Sequence, residues 1–491
     1  MVSPPRPTPY LPLEITTAIV NHLECCELDY DFNKSIWPIH TRDCIRNVQK
    51  ARLISRDFLN GSAQLFGKLL SNTVFTLTPK CLQFLDHLSL NAELSSSIRT
   101  LTFGSTYISQ LKPYRQRALQ KKGSMNADLD AANQEIFKAW HSLNEIQTVD
   151  FNTGRAEEIL SRIFRQFKGL RNLRFHPHVK MIRGNPYLGE LTWPTKELRL
   201  MLAERTAKLG HVVLDRFRLA VYDDCYKIFP MIQRALSNSG VHLKSLISTS
   251  QRESQRRKGL LAFYNPSPVP LSNIFGQMTL FYWTLPAAPQ RLMNSTRRFT
   301  TMLSSILKNA PYLKSLHIIG TEYYTNIKCR YLSLPLKRPP RLELLDLEGI
   351  DIDRGSLIAL VSDNLRKLRL AYIPNISGQD WGHVLQDIKN STPLELLKLH
   401  YTRRKICLTH GSVDCNCGVI PESVLKAISS GRIVVVLCEG SGTWRGNETV
   451  YRDGEAFEPR SHADVCYNDR WSDLGLSFTI SRDGSYVAGT I

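Results

Sequence analysis

The chain has 491 residues, of which 42% are hydrophobic and 22% charged, an ordinary globular balance that excludes a wholly disordered protein. No apolar run approaches the roughly 18 residues a membrane span requires, so no membrane role is expected. The formal net charge of +19 favours acidic partners at long range, nucleic acid among them. Eleven cysteines, an odd and scattered set, fit reduced thiols in a cytoplasmic or nuclear protein.

From the N-terminus, Met1 to Pro9 is proline-rich without an apolar stretch, which argues against a secretory leader. Leu11-Pro12-Leu13-Glu14-Ile15 opens a helix with proline in its first turn, and Ile15, Ile19 and Leu23 recur on one face. A second apolar pattern runs through Val48, Ala51, Leu53, Ile54 and Phe58 to Ala63, Leu65 and Phe66. About fifty residues of helix bury too little for a self-sufficient core. Apolar surface should therefore remain, either for a partner or to cap the first unit of a solenoid. The phrases "LPLEITTAIVNHL" and "VQKARLISRDFLNGSAQLF" resemble an F-box over residues 10–70. That resemblance implies docking on the Skp adaptor of a cullin-based ubiquitin ligase. Leu11, Pro12, Ile15, Ile19 and Leu23 would face the adaptor, with Val48, Leu53 and Phe58 contributing. Residues 24–46, acidic and aromatic, interrupt the motif where the family has a short turn.

Further along, the phrase Leu-x-x-Leu-x-Leu appears four times: Leu313-x-x-Leu316-x-Ile318, Leu342-x-x-Leu345-x-Leu347, Leu365-x-x-Leu368-x-Leu370 and Leu394-x-x-Leu397-x-Leu399. The copies start 29, 23 and 29 residues apart, the period of a leucine-rich solenoid. Weaker upstream copies are Ile98-x-x-Leu101-x-Phe103, Ile146-x-x-Val149-x-Phe151, Leu170-x-x-Leu173-x-Phe175 and the fragment Leu243-x-x-Leu246. The stretch from 176 to 300 is otherwise irregular. Helical patterns lie between the phrases: Ile159, Leu160, Ile163, Phe164 and Phe167; Met302, Leu303, Ile306 and Leu307; Leu357, Leu360 and Val361; Trp381, Val384, Leu385 and Ile388; Val424, Leu425 and Ile428. Asp353 and Ser377 are candidate helix caps.

The expected fold is thus α/β: a short all-helical F-box-like segment, then an irregular leucine-rich-repeat βα solenoid over residues 71–438, then a polar C-terminal tail or cap over 439–491. An amphipathic helical array without a horseshoe is the alternative architecture. The combination resembles the F-box and leucine-rich-repeat proteins, in the divergent form common in filamentous fungi, where the repeats hold the substrate.

In such a solenoid the positions between the core leucines line the opposite face of the sheet. They are Asn172 and Arg174, Ser315 and His317, Leu344, Asp346 and Glu348, Lys367 and Arg369, and Lys398 and His400. A phosphate or acidic stretch against Lys367, Arg369 and Lys398 would fit this ladder, unless Asp346 and Arg369 pair across the sheet. Cys407, His410, Cys415 and Cys417 bring four soft donors together, but their spacing suits a loop of free thiols better than zinc. Asp351 and Asp353 read as capping residues rather than a paired acid and base. No phosphate loop, nucleophile elbow or paired-histidine motif is present, so neither an enzyme nor a cofactor is expected. The functional expectation is a substrate-recruiting ligase subunit that binds the Skp adaptor, the cullin scaffold and an unknown protein substrate. A basic scaffold for nucleic acid or chromatin is the alternative.

Overall fold

A computed structural model describes residues 12–24, 26–27, 39–40, 42–71, 73–75, 77–104, 142, 145–176, 228–248, 272–285, 303, 305–320, 341–350, 352, 354–371, 381–401, 422–429, 433–439, 447–452, 455–457, 476–480 and 486–490.

Pro12 leads into the helix Leu13–Asn21, whose buried residues are Thr16 and Val20, one turn apart. This helix packs on Arg56–Gly61. The second helix starts where the Ser55 hydroxyl accepts the Phe58 amide at 3.3 Å, an ordinary N-cap. Gly61 permits the approach, because a Cβ there would sit 2.6 Å from Thr16 Oγ1. Gly61→Val should therefore cost roughly 1–3 kcal/mol by overpacking. Urea denaturation checks this, and an unchanged midpoint would mean the contact has room to spare.

Val20, Cys44, Val48, Ala51, Leu65 and Leu69 form the core of this small helical cluster, with Leu23, Phe58 and Phe66 packed against it. The helix Ala63–Ser71 is a wall shared with the rest of the molecule. Its Leu65 and Leu69 enter the small core, while Leu70 enters the long one and Phe66 touches both. Gly67 lets it close on the helix Ala92–Ser97, since a Cβ would meet the Ser97 carbonyl at 2.7 Å.

Strands β1 (Cys26–Glu27) and β2 (Ile39–His40) form an antiparallel ribbon inside the interrupting segment. The main sheet has twelve strands in strict chain order. They are β3 (Val74–Phe75), β4 (Thr100–Gly104), β5 (Asn172–His176), β6 (Ser245–Ser248), β7 (Leu280–Leu285), β8 (Ser315–Gly320), β9 (Leu344–Glu348), β10 (Lys367–Ala371), β11 (Leu396–Tyr401), β12 (Val434–Glu439), β13 (Asn447–Arg452) and β14 (Glu455–Phe457). Neighbours from β3 to β12 all pair in parallel, and β13 and β14 add antiparallel. Strands β15 (Leu476–Ile480) and β16 (Tyr486–Thr490) pair antiparallel in a sheet of their own. A parallel sheet laid down in chain order, with helices between strands, is an open, solenoid-like α/β architecture.

One contiguous core runs along one face of the sheet. Leu101 and Phe103, Leu173 and Phe175, Phe281 and Trp283, Leu316 and Ile318, Leu345 and Leu347, Leu368 and Leu370, and Leu397 and Leu399 all point into it. Against them lie Leu160, Ile163 and Phe164 of the helix Arg155–Gln166, Leu357 and Leu360 of Arg354–Leu360, Val384, Leu385 and Ile388 of Trp381–Ser391, and Leu425 and Ile428 of Glu422–Ser429. Each fully buried leucine contributes on the order of 1.5–3 kcal/mol.

Two sequence expectations change. Ile146 to Phe151 is helical rather than a strand, with Ile146 and Val149 exposed and Gln147 buried, its Nε2 donating to the Leu77 carbonyl at 3.1 Å. Apolar residues three apart satisfy a helix as well as the strand phrase, and here the helix prevails. The stretch from 176 to 300, expected to be irregular apart from the Leu243 fragment, holds a further repeat strand. Met278-x-x-Phe281-x-Trp283 carries β7 at the usual phrase positions, and the helix Ile228–Ser239 precedes β6. Beyond residue 438, in the segment expected to be a polar tail or cap, β13 and β14 add antiparallel to the end of the parallel array. Asp351, Asp353 and Ser377 lie outside the described residues. No helix among the described residues is long and apolar enough to cross a membrane.

Candidate functional site

The first candidate surface belongs to the N-terminal helices. Because Thr16 and Val20 turn inward, the flanking positions turn outward: Leu13, Ile15 and Ile19 are 50%, 48% and 42% exposed. Pro12 beside them is exposed, and Leu11 lies outside the described residues. Leu53 and Ile54 are exposed in the turn after the helix Arg42–Ala51, and Leu59 protrudes from the helix Arg56–Gly61. That turn is held firmly. Arg52 Nη1 donates to Ser62 Oγ at 2.9 Å and to the Leu59 carbonyl at 3.3 Å. Its guanidinium also lies 4.2 Å above the Phe66 ring. Burial lowers the pKa of Arg52, with the charge of Glu93 opposing that shift.

The expected adaptor-facing residues therefore divide by exposure. Ile15, Ile19 and Leu53 are exposed, Leu23 and Phe58 are half-buried, and Val48 is fully buried in the cluster core. Val48 is corrected from a contact residue to a packing residue. A helix crowded between two neighbours turns an apolar side chain toward them, and spacing alone does not distinguish that face from one left for a partner.

The second candidate surface is the face of the sheet opposite the core. One rung crosses it laterally: Thr102, Arg174, Ile247, Tyr282, His317, Asp346, Arg369 and Lys398 are successive register partners. Neighbours in a rung stand about 4.8 Å apart, so their side chains meet. His317 Nδ1 lies 3.1 Å from Asp346 Oδ2, and its ring is tilted against Tyr282 with centroids 5.3 Å apart. Arg369 Nη1 donates to Asp346 Oδ1 at 2.7 Å and reaches Glu348 Oε2 at 2.8 Å. Burial alone would lower the pKa of Arg369; the charges of Asp346 and Glu348, with their hydrogen bonds, instead raise it above its ordinary value. Burial also pulls Arg174 below its ordinary value.

All the expected substrate-facing residues with described side chains sit on this face, but the expectation of an open charged ladder is corrected. His317, Asp346, Glu348 and Lys398 are buried. Arg369 is committed to two carboxylates and is not a ready donor to an acidic ligand. The anticipated alternative, Asp346 pairing with Arg369 across the sheet, is what the structure contains. Asn172 donates to Thr100 Oγ1 at 3.2 Å and accepts from Ser245 Oγ at 2.8 Å, continuing the polar lining upstream. Lys367 is half-buried between Leu344 and Leu396. The side chain of His400 lies outside the described residues. Sequence reasoning missed Tyr282, which only the phrase built on Met278, Phe281 and Trp283 would have placed on this face.

Cys407, His410, Cys415 and Cys417 lie outside the described residues. Among the described residues no group of three or more histidines, cysteines and carboxylates has the geometry to hold a metal ion. No protein-family model matches this sequence, and no curated protein matches it either.

Proposed function

We propose that the chain is a substrate-recruiting subunit of a cullin-based ubiquitin ligase, working in the cytoplasm or nucleus without catalytic residues or a cofactor of its own. The N-terminal helices dock on a Skp-type adaptor as an F-box does, and the leucine-rich-repeat solenoid holds a protein substrate. The supporting observation is the division of the first helix. Thr16 and Val20 are buried while Leu13, Ile15 and Ile19 stay in water, and Leu53 and Ile54 of the same helical unit are exposed as well. Exposed apolar side chains concentrated on a small helical unit suit a protein contact. The shared helix Ala63–Ser71 supports a rigid transmission of that contact to the sheet.

A pull-down with a Skp-type adaptor tests this reading. The intact chain is expected to retain the adaptor, and Leu11→Ala with Pro12→Ala to weaken capture. No capture, or equal capture by the variant, sinks the reading. Binding to DNA or RNA that falls steeply with salt would instead favour a basic nucleic-acid scaffold.

A further inference from the structure

Three cations that are far apart in the sequence meet on one rim of the sheet. Arg99, Arg171 and Lys244 are 72 and 73 residues apart in the chain, and each stands at the second position of its strand phrase. The fold stacks them directly. The Arg171 amide donates to the Arg99 carbonyl at 2.9 Å, and the Lys244 amide to the Arg171 carbonyl at 2.7 Å. All three side chains are exposed, and none pairs with a carboxylate among the described residues. The Arg171 guanidinium is held over its own turn, its Nη1 donating to the carbonyls of Lys168 and Leu170 at 3.0 and 2.7 Å, and exposed Lys168 adds a fourth charge nearby in the chain.

The same phrase position changes character further along the array. There Lys314 meets Glu343 at 2.9 Å, and Arg366 meets Glu395 at 3.1 Å. The downstream rim neutralises its cations, whereas the upstream rim leaves them without a carboxylate partner among the described residues. Uncompensated like charges on neighbouring strands repel one another, a cost that an acidic partner relieves.

We propose that Arg99, Arg171 and Lys244, supported by Lys168, form a docking rim for an acidic helical segment of a protein partner. This surface uses none of the residues of the proposed adaptor contact or of the buried rung. The spacing selects the helix. Cations on adjacent strands lie about 4.8 Å apart. Carboxylates three or four residues apart on a helix are about 5–6 Å apart at Cβ, close enough for flexible side chains to stay in step. In an extended segment the same-side spacing is roughly 6.6–6.8 Å, which falls out of register by about 2 Å at each step. Single-stranded nucleic acid is favoured by basic grooves with open aromatic platforms. The exposed Tyr312, one residue before the Leu313 phrase, is already covered by the Arg341 guanidinium at 4.6 Å.

Fluorescence anisotropy on the full chain tests the rim. The probes are a labelled helical peptide with glutamate at every third or fourth position, the same peptide with a central proline, and a labelled oligothymidylate. The helical peptide should bind with strong salt dependence, at least about tenfold tighter than the proline-broken form. Arg99→Glu with Arg171→Glu and Lys244→Glu should weaken it by about tenfold or more, while Lys50→Glu with Arg56→Glu and Lys308→Glu, an equal change in net charge elsewhere, should leave it unchanged. Circular dichroism confirms that each variant is folded. Equal loss in both variants would reduce the effect to bulk charge and overturn the proposal. So would equal binding of the two peptides, tighter binding of the oligothymidylate, or no binding of the helical peptide. Adaptor capture by the rim variant stays at the level of the unaltered chain, so failure here and failure of the adaptor reading are separable.

Discussion

Asp346→Ala should destabilise the solenoid by about 3–5 kcal/mol, the range expected when one member of a buried ion pair is removed. Asp346 is 2% exposed and holds two neighbours at once, His317 at 3.1 Å and Arg369 at 2.7 Å. Its loss leaves Arg369 with Glu348 alone. It also strips the His317 imidazole of its Nδ1 partner, while Nε2 is buried without a hydrogen bond among the described residues. Asp346→Asn preserves the volume and one acceptor, so it should cost less, roughly 1–3 kcal/mol. In an Arg369→Met background the Asp346→Ala cost should change by at least about 0.5 kcal/mol, because residues in one ion-pair network are not additive. Urea denaturation of the parent, the single variants and the double variant measures all three quantities. Equal costs for alanine and asparagine, or strict additivity with Arg369→Met, would show the cluster to be packing rather than electrostatics.

The second large effect belongs to Trp283→Ala, at about 3–5 kcal/mol. Trp283 is 1% exposed and stacks on Phe281 two residues before it, with centroids 5.6 Å apart and planes within 5°. Phe229 meets its edge at 5.6 Å from the helix Ile228–Ser239, and Phe175 of β5 lies 6.4 Å away. One indole thus joins strands and a helix from three successive parts of the array. In a solenoid each repeat is stabilised by its neighbours, so loss of this contact should open the chain near β6 and β7 first. Limited proteolysis of Trp283→Ala should cut between residues 228 and 285 before it cuts in the four leucine phrases. Uniform cutting along the chain would contradict the placement. Trp283→Phe should recover most of the stability.

That same aromatic cluster shows where the sequence is hard to read. Leu313 to Leu399 announces its strands because leucine occupies nearly every core position at a steady interval. At β7 the identical geometry is built from methionine, phenylalanine and tryptophan, which satisfy the same burial but hide the phrase. Ile146 and Val149 err the other way, copying the phrase on a helix. The sheet face opposite the leucines is legible from alternation alone, since period two is local. Its chemistry is not, because burial of Asp346 and the double use of Arg369 depend on side chains 21 to 29 residues away in the chain. The Arg99, Arg171 and Lys244 rim lies further still from any local signal. Val48 and Ile15 are both apolar helix residues, and only packing separates the one that closes the core from the one left in water.

Isothermal titration of a Skp-type adaptor into the full chain, beside Ile15→Asp with Ile19→Asp, tests the adaptor role most directly. Both isoleucines are exposed, so the variant should keep the thermal midpoint of the unaltered protein. Its affinity should fall by roughly 30-fold or more, the consequence of losing a contact worth about 2 kcal/mol. Unchanged affinity in a folded variant, or no heat of binding from the unaltered chain, would contradict the account.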